Sequence, residues 1–378
     1  MRLTYSIADQ RWPAKSMGIF NISMGLAGAL ARHVRVGRLT VLANSSIPGD
    51  AWKGERSNTI VHDRPVGSRL GRLWWDHVGC YGAAARTGNA WLVLPKGFAS
   101  GLRRCPLRLA VYMHDIIELV YPERYPGYCS RSRHRYFPWI YRQTLQRADV
   151  VFTNTEYSRG EISRWARDQG VRCPPIVVAG YGFEAVDRPP SATDQRADQI
   201  LVDVRAVPHK RSDLALAYTE RWRREHRYRG RFICVGTLPS GLSVPNDPAW
   251  EYRGLVEPEE HLALMGQSRA LVHFTELEGF GMPPVEAALL GTPPVYSSIP
   301  VTREVMGNNG CPFSNDDYAG FAQAMDRALT VSPEEVRCWG KELAERHNWP
   351  AVAERVVTAL EKMSDGSDRN STTDPTRA

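Results

Sequence analysis

Short runs of apolar residues, rich in Val, Ile and Leu, recur along the chain and predict the strands of a sheet. They alternate with longer stretches in which the apolar positions repeat with the period of a helix. The predicted strands lie at 3–8, 39–43, 91–94, 108–113, 150–153, 176–179, 200–204, 231–235, 252–255, 270–274 and 294–296. The predicted helices lie at 140–147, 158–168, 213–224, 259–266, 284–290, 318–329, 333–346 and 350–362. This alternation favours an α/β fold with mainly parallel sheet.

A polar, proline-bearing stretch divides the pattern into two series and predicts two domains. The first predicted domain covers 1–180, the linker 181–199 and the second domain 200–345. Residues 346–363, which contain the last helix, form a separate cross-over segment, and the polar residues 364–378 are predicted to form a disordered tail. A chain of 378 residues is long enough for two domains, each with its own core.

The composition is that of a globular protein, with 43% hydrophobic and 24% charged residues. A formal net charge of +7 favours anionic partners such as nucleic acid, anionic lipid or phosphorylated ligands, without choosing among them. The seven cysteines lack the spacing of a zinc or redox motif and are interpreted as reduced thiols of a cytoplasmic protein. Residues 18–31 look like the apolar part of a signal peptide, but Asp9 and an apolar strand precede them, which argues against secretion. No apolar run reaches the roughly 20 residues that a membrane span needs.

The most informative segment is a glycine-rich loop between a predicted strand and a predicted helix. It reads Glu278-Gly-Phe-Gly-Met-Pro-Pro-Val-Glu286. The start of the helix directs free backbone N–H groups and the positive end of its dipole at the loop, which suits a diphosphate. Gly279 and Gly281 let the main chain approach a ligand closely. The two carboxylates accept hydrogen bonds but donate none, which suits a hydroxyl-rich ligand.

This segment resembles the Glu-x7-Glu motif of retaining glycosyltransferase family 4, whose members have the GT-B fold. The spacing matches, since Glu278 and Glu286 stand eight positions apart. The resemblance implies two Rossmann-like domains that face a cleft, with a C-terminal helix crossing back to the first domain. It also implies that Glu278 contacts the donor sugar and Glu286 the nucleotide ribose. The loop amides of Gly279, Phe280 and Gly281 would contact the sugar and the phosphates.

A second motif follows the predicted strand at 200–204. Arg205 and Lys210 stand five residues apart, as the diphosphate-binding cations of the family do. Two cations placed there would neutralise the diphosphate and stabilise it as a leaving group. The sequence departs from the family at Val204, where glycine is usual, and the bulk of valine raises the question of how closely the nucleotide passes. Val256 resembles the position whose backbone contacts the base in the family.

Two segments of the first domain resemble loops that line the cleft in the family. Gly18 and Ile19 correspond to the glycine–isoleucine pair before the first helix, in the loop that faces the donor phosphate, with Phe20 in place of a family glycine. His114 and Asp115 follow the predicted strand at 108–113 and resemble the His-Asp strand end of mannosyl- and rhamnosyl-transferring members. The resemblance therefore implies that His114 lies beside the donor sugar.

Together these motifs predict a retaining hexosyltransferase that uses a nucleotide diphosphate sugar, with a GDP-sugar of mannose or a deoxymannose favoured. The expected acceptor is a glycan or a lipid-linked oligosaccharide in cell-surface polysaccharide synthesis, such as that of lipopolysaccharide. No cofactor and no metal is expected. The leaving phosphate can take the proton of the acceptor, and a covalent intermediate on a protein carboxylate remains a second route.

Two other functions fit parts of the sequence: a basic α/β nucleic-acid-binding protein and a sugar-nucleotide epimerase. Arginines lie beside aromatic residues at 131–137 and 221–231, but no nucleic-acid-binding motif accompanies them, so no nucleic acid partner is expected.

Residues 100–147 are strongly basic. Nine arginines against three carboxylates give them a net charge of +6, and the densest part is followed by the aromatic residues Tyr136, Phe137, Trp139 and Tyr141. This pattern predicts reversible association with an anionic membrane surface, for a cytoplasmic enzyme on the inner face of the cell membrane.

Overall fold

The computed structural model describes residues 1–11, 17–184 and 196–371. The chain divides into two compact units. Unit 1 contains residues 1–184 together with the chain from His347 onward, and unit 2 contains residues 185–346. Of the predicted linker, residues 185–195 lie outside the described residues.

Unit 1 is built on a seven-stranded sheet in which every neighbouring pair is parallel. The strands are β1 Arg2–Ser6, β2 Arg38–Ala43, β3 Ser57–Val61, β4 Trp91–Leu94, β5 Arg108–Tyr112, β6 Val150–Thr153 and β7 Ile176–Val178. Their spatial order is β3-β2-β1-β4-β5-β6-β7. The inner strands are buried on both faces, which explains why the sequence shows them as continuous apolar runs.

Helices cover this sheet: α1 Met17–Arg32, α2 Arg64–Gly67, α3 Arg69–Trp74, α4 Cys80–Ala85, α5 Ile117–Arg124, α6 Arg131–Arg147 and α7 Glu156–Asp168. A π-helical turn, Trp75–Gly79, joins α3 to α4. Helix α6 begins at Arg131, earlier than the sequence predicts, because the Ser130 side chain accepts a hydrogen bond from the Arg133 N–H and caps the helix. Its period turns Tyr141 into the core and packs Tyr136 and Phe137 against it, so Trp139 is the exposed one of the four aromatic residues expected at a membrane surface.

Unit 2 repeats the same topology with six parallel strands in the order β10-β9-β8-β11-β12-β13. The strands are β8 Gln199–Val204, β9 Arg231–Gly236, β10 Trp250–Gly254, β11 Ala270–His273, β12 Pro294–Ser297 and β13 Cys311–Phe313. The helices are α8 Ser212–Glu225, α9 Pro258–Gln267, α10 Met282–Leu289, α11 Pro300–Met306, α12 Tyr318–Thr330 and α13 Pro333–Arg346. A core of aliphatic side chains from β8, β9, α9, β11 and α10 holds these layers together.

The last helix, α14 Trp349–Ser371, belongs to unit 1 and packs on α1. It extends past residue 362, where the sequence predicts its end, and residues 364–371 are helical rather than a disordered tail. The extension is tied to the sheet, because the Trp91 indole N–H donates to the Ser364 hydroxyl at 3.1 Å and Arg108 donates to the Met363 carbonyl at 2.8 Å. Residues 372–378 of the predicted tail lie outside the described residues. Within the described part of the chain, every helix is too short or too polar to cross a membrane.

The contact between α1 and α14 depends on a glycine. A Cβ atom added at Gly25 would lie 2.0 Å from the indole of Trp349, which is buried. We predict that Gly25→Ala destabilises unit 1 by about 1–3 kcal/mol, because the packed indole has to move. Gly160→Ala is the matched control: Gly160 lies inside α7 with no atom within 4 Å of an added Cβ, so alanine should stabilise by up to about 1 kcal/mol. Thermal unfolding of both variants tests this, and equal melting temperatures would contradict it.

Candidate functional site

The reversal of strand order in the unit 2 sheet lies between β8 and β11. In open parallel sheets, ligands bind beyond the carboxyl ends of the strands at such a switch point. The predicted residues Arg205 and Lys210 follow β8, and the loop with Glu278 follows β11, so the fold brings both motifs to this edge. A hydrogen bond from the Glu276 N–H to the His209 carbonyl, 2.7 Å, ties the two segments together.

The glycine-rich loop presents main-chain donors at the start of α10. Gly281 precedes the helix with φ of 87°, a left-handed conformation that favours glycine. Within the described residues, the N–H groups of Gly279 and Gly281 donate no hydrogen bond. Phe280, between these two glycines, is buried, so its ring is not open to a ligand. The loop is suited to a ligand that carries negative charge.

The two predicted diphosphate-binding cations are both paired with carboxylates. The Lys210 ammonium forms an ion pair with Glu278, and the Arg205 guanidinium lies 3.0 Å from Asp203. The backbone of Arg205 is held by Ser212, whose hydroxyl bonds both the N–H and the carbonyl of Arg205 at 2.9 Å. The site is therefore nearly balanced in charge before any ligand binds.

Glu278 is ionised despite its position. Burial of its carboxyl group opposes ionisation, but the ion pair with Lys210 and the facing His273 outweigh burial and hold the pKa well below its ordinary value. The carboxylate is 12% exposed, which leaves part of it open to a ligand.

Glu286 behaves differently although it lies only one helical turn inside α10. Burial and the nearby charge of Asp203 raise its pKa from 4.5 to about 7, and the cations His273 and Arg205 offset this only in part. Its carboxyl group forms no hydrogen bond or ion pair with any described residue. A group of this kind is free to accept hydrogen bonds from hydroxyls.

Beneath Glu278 lies a pair that the sequence motifs do not reveal. His273 and Asp203 are register partners on β11 and β8, so their side chains emerge on the same side of the sheet. The imidazole Nδ1 lies 3.4 Å from Asp203 and the Nε2 lies 3.2 Å from Glu278. The available signal is a polar residue inside an apolar strand, in Leu-Val-Asp203-Val and Leu-Val-His273-Phe, but a buried histidine is more often simply part of a core.

The bulk of Val204 does not obstruct this edge, because its side chain is fully buried. The close approach falls on the neighbouring strand: a Cβ atom at Gly236, where φ is 122°, would lie 1.8 Å from the Val204 carbonyl oxygen and 2.2 Å from the Arg205 guanidinium. Val256 lies between β10 and α9 and packs its side chain on the unit 2 core, which leaves its backbone at the same edge of the sheet.

In unit 1, His114 follows β5 and hydrogen-bonds through Nε2 to the Pro95 carbonyl at 2.7 Å. Burial lowers its pKa to about 4 even though this bond favours the charged form, so the ring is neutral near pH 7. In that state Nε2 is the donor to Pro95, and Nδ1 is left as an acceptor. Asp115 accepts a bond from the Ile117 N–H at 3.0 Å, near the start of α5.

Gly18 lies inside the first turn of α1, not in the loop before the helix as the sequence predicts, and Phe20 is a buried helix residue. Part of the predicted loop, residues 12–16, lies outside the described residues.

The switch point of the unit 1 sheet, between β1 and β4, holds a buried charge cluster that the sequence motifs also miss. Lys96 lies 2.5 Å from Asp76 and 3.7 Å from Asp9. Burial disfavours the charged lysine, but the two carboxylates more than compensate and raise the pKa of Lys96.

The raised pKa of Glu286 has a consequence for stability. A carboxyl group of this kind stabilises the folded state fully at a pH below its unfolded pKa, and that contribution is lost as the pH rises through about 7. We predict that wild type loses thermal stability relative to Glu286→Gln between about pH 5 and about pH 8. The exposed Glu259→Gln serves as the control. A Glu286→Gln curve parallel to that of wild type across this range would contradict the prediction.

Comparison with known proteins covers both units. Residues 199–330 match the family described as Glycosyl transferases group 1. The O-antigen chain mannosyltransferase RfbU of Salmonella typhimurium is 25% identical over 279 residues, which are 70% of this chain and 73% of that protein. The serotype-specific mannosyltransferase WbdA of Escherichia coli is 22% identical over 282 residues, 69% of this chain but only 34% of that longer protein.

Solved structures agree over nearly the whole chain. Sucrose-phosphate synthase of Thermosynechococcus elongatus superposes with a TM-score of 0.65 at 15% identity, covering 97% of this chain and 100% of that one. Anabaena HepE, solved with UDP and glucose, has a TM-score of 0.65 at 15% identity and covers 96% and 100%. The predicted fold, with two Rossmann-like parallel α/β domains of the GT-B type, is confirmed. The group 1 match and the relatives favour the transferase over the nucleic-acid-binding and epimerase alternatives, and the chain is a glycosyltransferase.

Proposed function

We propose that this glycosyltransferase moves mannose, or a deoxymannose, from a GDP-sugar to a glycan or lipid-linked acceptor in the synthesis of a cell-surface polysaccharide, with retention of the anomeric configuration. The observation that carries the proposal is that three features meet at the β8–β11 switch point: Lys210, Glu278, and the N–H groups of Gly279 and Gly281. These N–H groups donate no hydrogen bond within the described residues. Cations and main-chain donors suit the diphosphate, and a partly open carboxylate suits the hydroxyls of a sugar.

The proposed division of labour follows the chemistry of each group. Lys210, Arg205 and the start of α10 hold the diphosphate and stabilise the charge that develops as it leaves. Glu278 accepts hydrogen bonds from the sugar hydroxyls. Glu286, which has no partner among the described residues, accepts from the ribose diol. His114 is neutral and keeps Nδ1 as an acceptor, which suits it to a further sugar hydroxyl.

Retention is proposed to proceed without a protein base. The diphosphate departs, the acceptor hydroxyl attacks from the same face, and a phosphate oxygen takes the hydroxyl proton. In this scheme Glu278 remains a hydrogen-bond acceptor. The pKa of Glu278, which lies well below its usual range, suits an acceptor and makes a poor general base.

The sugar and the acceptor are proposed from the relatives. RfbU and WbdA are both described as mannosyltransferases, one for the O-antigen chain and one as serotype-specific. The His114-Asp115 strand end points to the same sugar, because it resembles that of mannosyl- and rhamnosyl-transferring enzymes.

A comparison of donors and one charge removal tests the proposal. We expect GDP to raise the melting temperature more than UDP or dTDP does, and GDP-mannose to be turned over in preference to UDP-glucose. Lys210→Ala should lower kcat/KM by about 100-fold or more, because one of the charges facing the diphosphate is lost. The matched control is Lys341→Ala, an exposed lysine on α13 of the same unit, which should keep wild-type turnover. Turnover of UDP-glucose but not of GDP-mannose, or full activity of Lys210→Ala, would overturn it.

We further propose that unit 1 associates with an anionic membrane surface. Leu102 is 66% exposed and is followed by the exposed Arg103 and Arg104. The ring of Trp139 packs over Gly101, next to Leu102. This Leu–Arg–Arg turn and the neighbouring ring combine apolar and cationic groups, which suits the headgroup region of a bilayer.

Helix α6 adds positive charge to the surface around Trp139. Arg131 and Arg135 line a surface hollow together with Tyr136 and Trp139, and the helix contains no acidic residue. Arg133 contributes less, because it is paired with Glu118. Each free arginine near an anionic surface contributes about 1 kcal/mol.

Vesicle co-sedimentation tests the membrane proposal. We expect binding to rise with phosphatidylglycerol content and to fall with salt. Reversing two charges in Arg103→Glu/Arg104→Glu should weaken binding by about tenfold or more. The control Arg167→Glu/Arg172→Glu makes the same change in net charge at two exposed arginines elsewhere in unit 1. Equal binding to neutral and anionic vesicles, or an equal loss in both double variants, would contradict the proposed surface.

A further inference from the structure

The Glu278 carboxylate faces two basic side chains, Lys210 and His273, that differ in their freedom to move. Lys210 ends a short 3-10 turn and is 18% exposed, and its long side chain reaches Glu278 from the side of the loop. His273 is 2% exposed, lies on β11 and reaches the same oxygen of Glu278, Oε1, at 3.2 Å. A buried strand residue keeps its place when a ligand binds, whereas an amine on four methylenes follows the stronger charge.

The second nitrogen of His273 also faces a carboxylate, although it forms no hydrogen bond with a described residue. Its Nδ1 lies 3.4 Å from Asp203, which is 3% exposed and is itself 3.0 Å from Arg205. Basic and acidic side chains thus alternate in a continuous row that runs from Arg205 through Asp203 and His273 to Glu278.

Donor binding changes the surroundings of Glu278 if the proposed function holds. The diphosphate carries more negative charge than one carboxylate and draws Lys210 toward itself. Glu278 would then be left as a buried anion facing a neutral sugar, an arrangement that is costly without a counter-charge.

We propose that His273, backed by Asp203, is a positioning residue that keeps Glu278 ionised and aimed at the donor sugar once Lys210 has moved to the diphosphate. His273 touches neither sugar nor nucleotide in this proposal. It acts through Glu278, so its effect belongs to recognition of the sugar and not of the nucleotide. The inference rests on the proposed function of the site.

The experiment separates sugar recognition from nucleotide recognition. Affinities for GDP and for GDP-mannose are measured by calorimetry on wild type, His273→Leu and His273→Gln. His273→Leu should weaken the affinity for GDP-mannose by about tenfold or more and change the affinity for GDP by less than about twofold. The variant loses the hydrogen bond that supports Glu278, and Glu278 contacts only the sugar in this proposal. His273→Gln, which keeps an N–H donor for Glu278, should recover part of the lost affinity for GDP-mannose. A loss of packing alone would affect both ligands equally.

A double-mutant cycle tests whether His273 acts through Glu278. In Glu278→Gln the buried charge is gone, so adding His273→Leu should cause no further loss of GDP-mannose affinity. The control is His226→Leu. His226 is also a unit 2 histidine beside a carboxylate, since its Nε2 lies 3.4 Å from Asp326, but it is not part of this site. This control should leave both affinities unchanged.

The outcomes distinguish the proposed function from the proposed role of His273. Failure of wild type to bind either GDP or GDP-mannose would count against the proposed function. Wild-type binding with equal losses for GDP and GDP-mannose in His273→Leu, or with losses that add in the double variant, would overturn the role of His273 and leave the proposed function standing.

Discussion

The constraint on which both units depend is the reversal of strand order beside the first strand of each sheet. The chain builds outward from β1 to β3 and then returns to place β4 on the other side of β1, and it repeats this in unit 2 with β8 and β11. Helices on opposite faces diverge at such a reversal and leave the carboxyl ends of the two central strands open. The charged residues proposed to act on a ligand in unit 2 follow or end one of those two strands or lie in the helix next to them.

The two switch points are used in different ways, and burial decides the difference. In unit 1, the side chains of Lys96, Asp76 and Asp9 are all at most 5% exposed, so one lysine faces two carboxylates inside the protein, and burial raises the pKa of Asp9. This cluster holds the ends of β1 and β4 against Asp76, which lies in the π-helical turn. Its three side chains are closed to solvent. In unit 2, the equivalent charges remain partly open, with Lys210 at 18% and Glu278 at 12%. A partly open ion pair can exchange partners, which a closed cluster cannot do without breaking the core.

Part of this arrangement can be predicted from the sequence. The buried strands are visible because a parallel sheet covered on both faces needs continuous apolar runs, and the glycine-rich loop is visible because its residue types are required by its backbone. Strand β3 escapes prediction because it is an edge strand in which Ser57, Asn58 and Thr59 replace an apolar run. The end of α14 cannot be predicted from the local sequence, because the helix is held there by a hydrogen bond from Trp91, which is distant in the chain.

The same limit applies to the site. Glu278 and Lys210 are recognisable because each belongs to a local motif, and the fold joins them in an ion pair. His273 and Asp203 are not recognisable, because each stands alone in an apolar strand, and their relation depends on the register of β11 against β8. Long-range register is set by the packing of the whole sheet. The residues of the local motifs are thus easier to predict than the buried residues that contact them.

The pairing of charges in the free site also bears on affinity and release. On the proposed function, a donor diphosphate does not meet bare cations; it draws Lys210 away from Glu278 and competes with Asp203 for Arg205. The free energy gained is therefore the difference between two ion pairs, which is much smaller than the energy of either pair alone. A nucleoside diphosphate product can then leave, because Lys210 returns to a carboxylate that His273 has kept ionised and in place. On the proposed role of His273, the buried Asp203–His273 pair makes this exchange reversible, because it holds the carboxylate in place while its lysine is away.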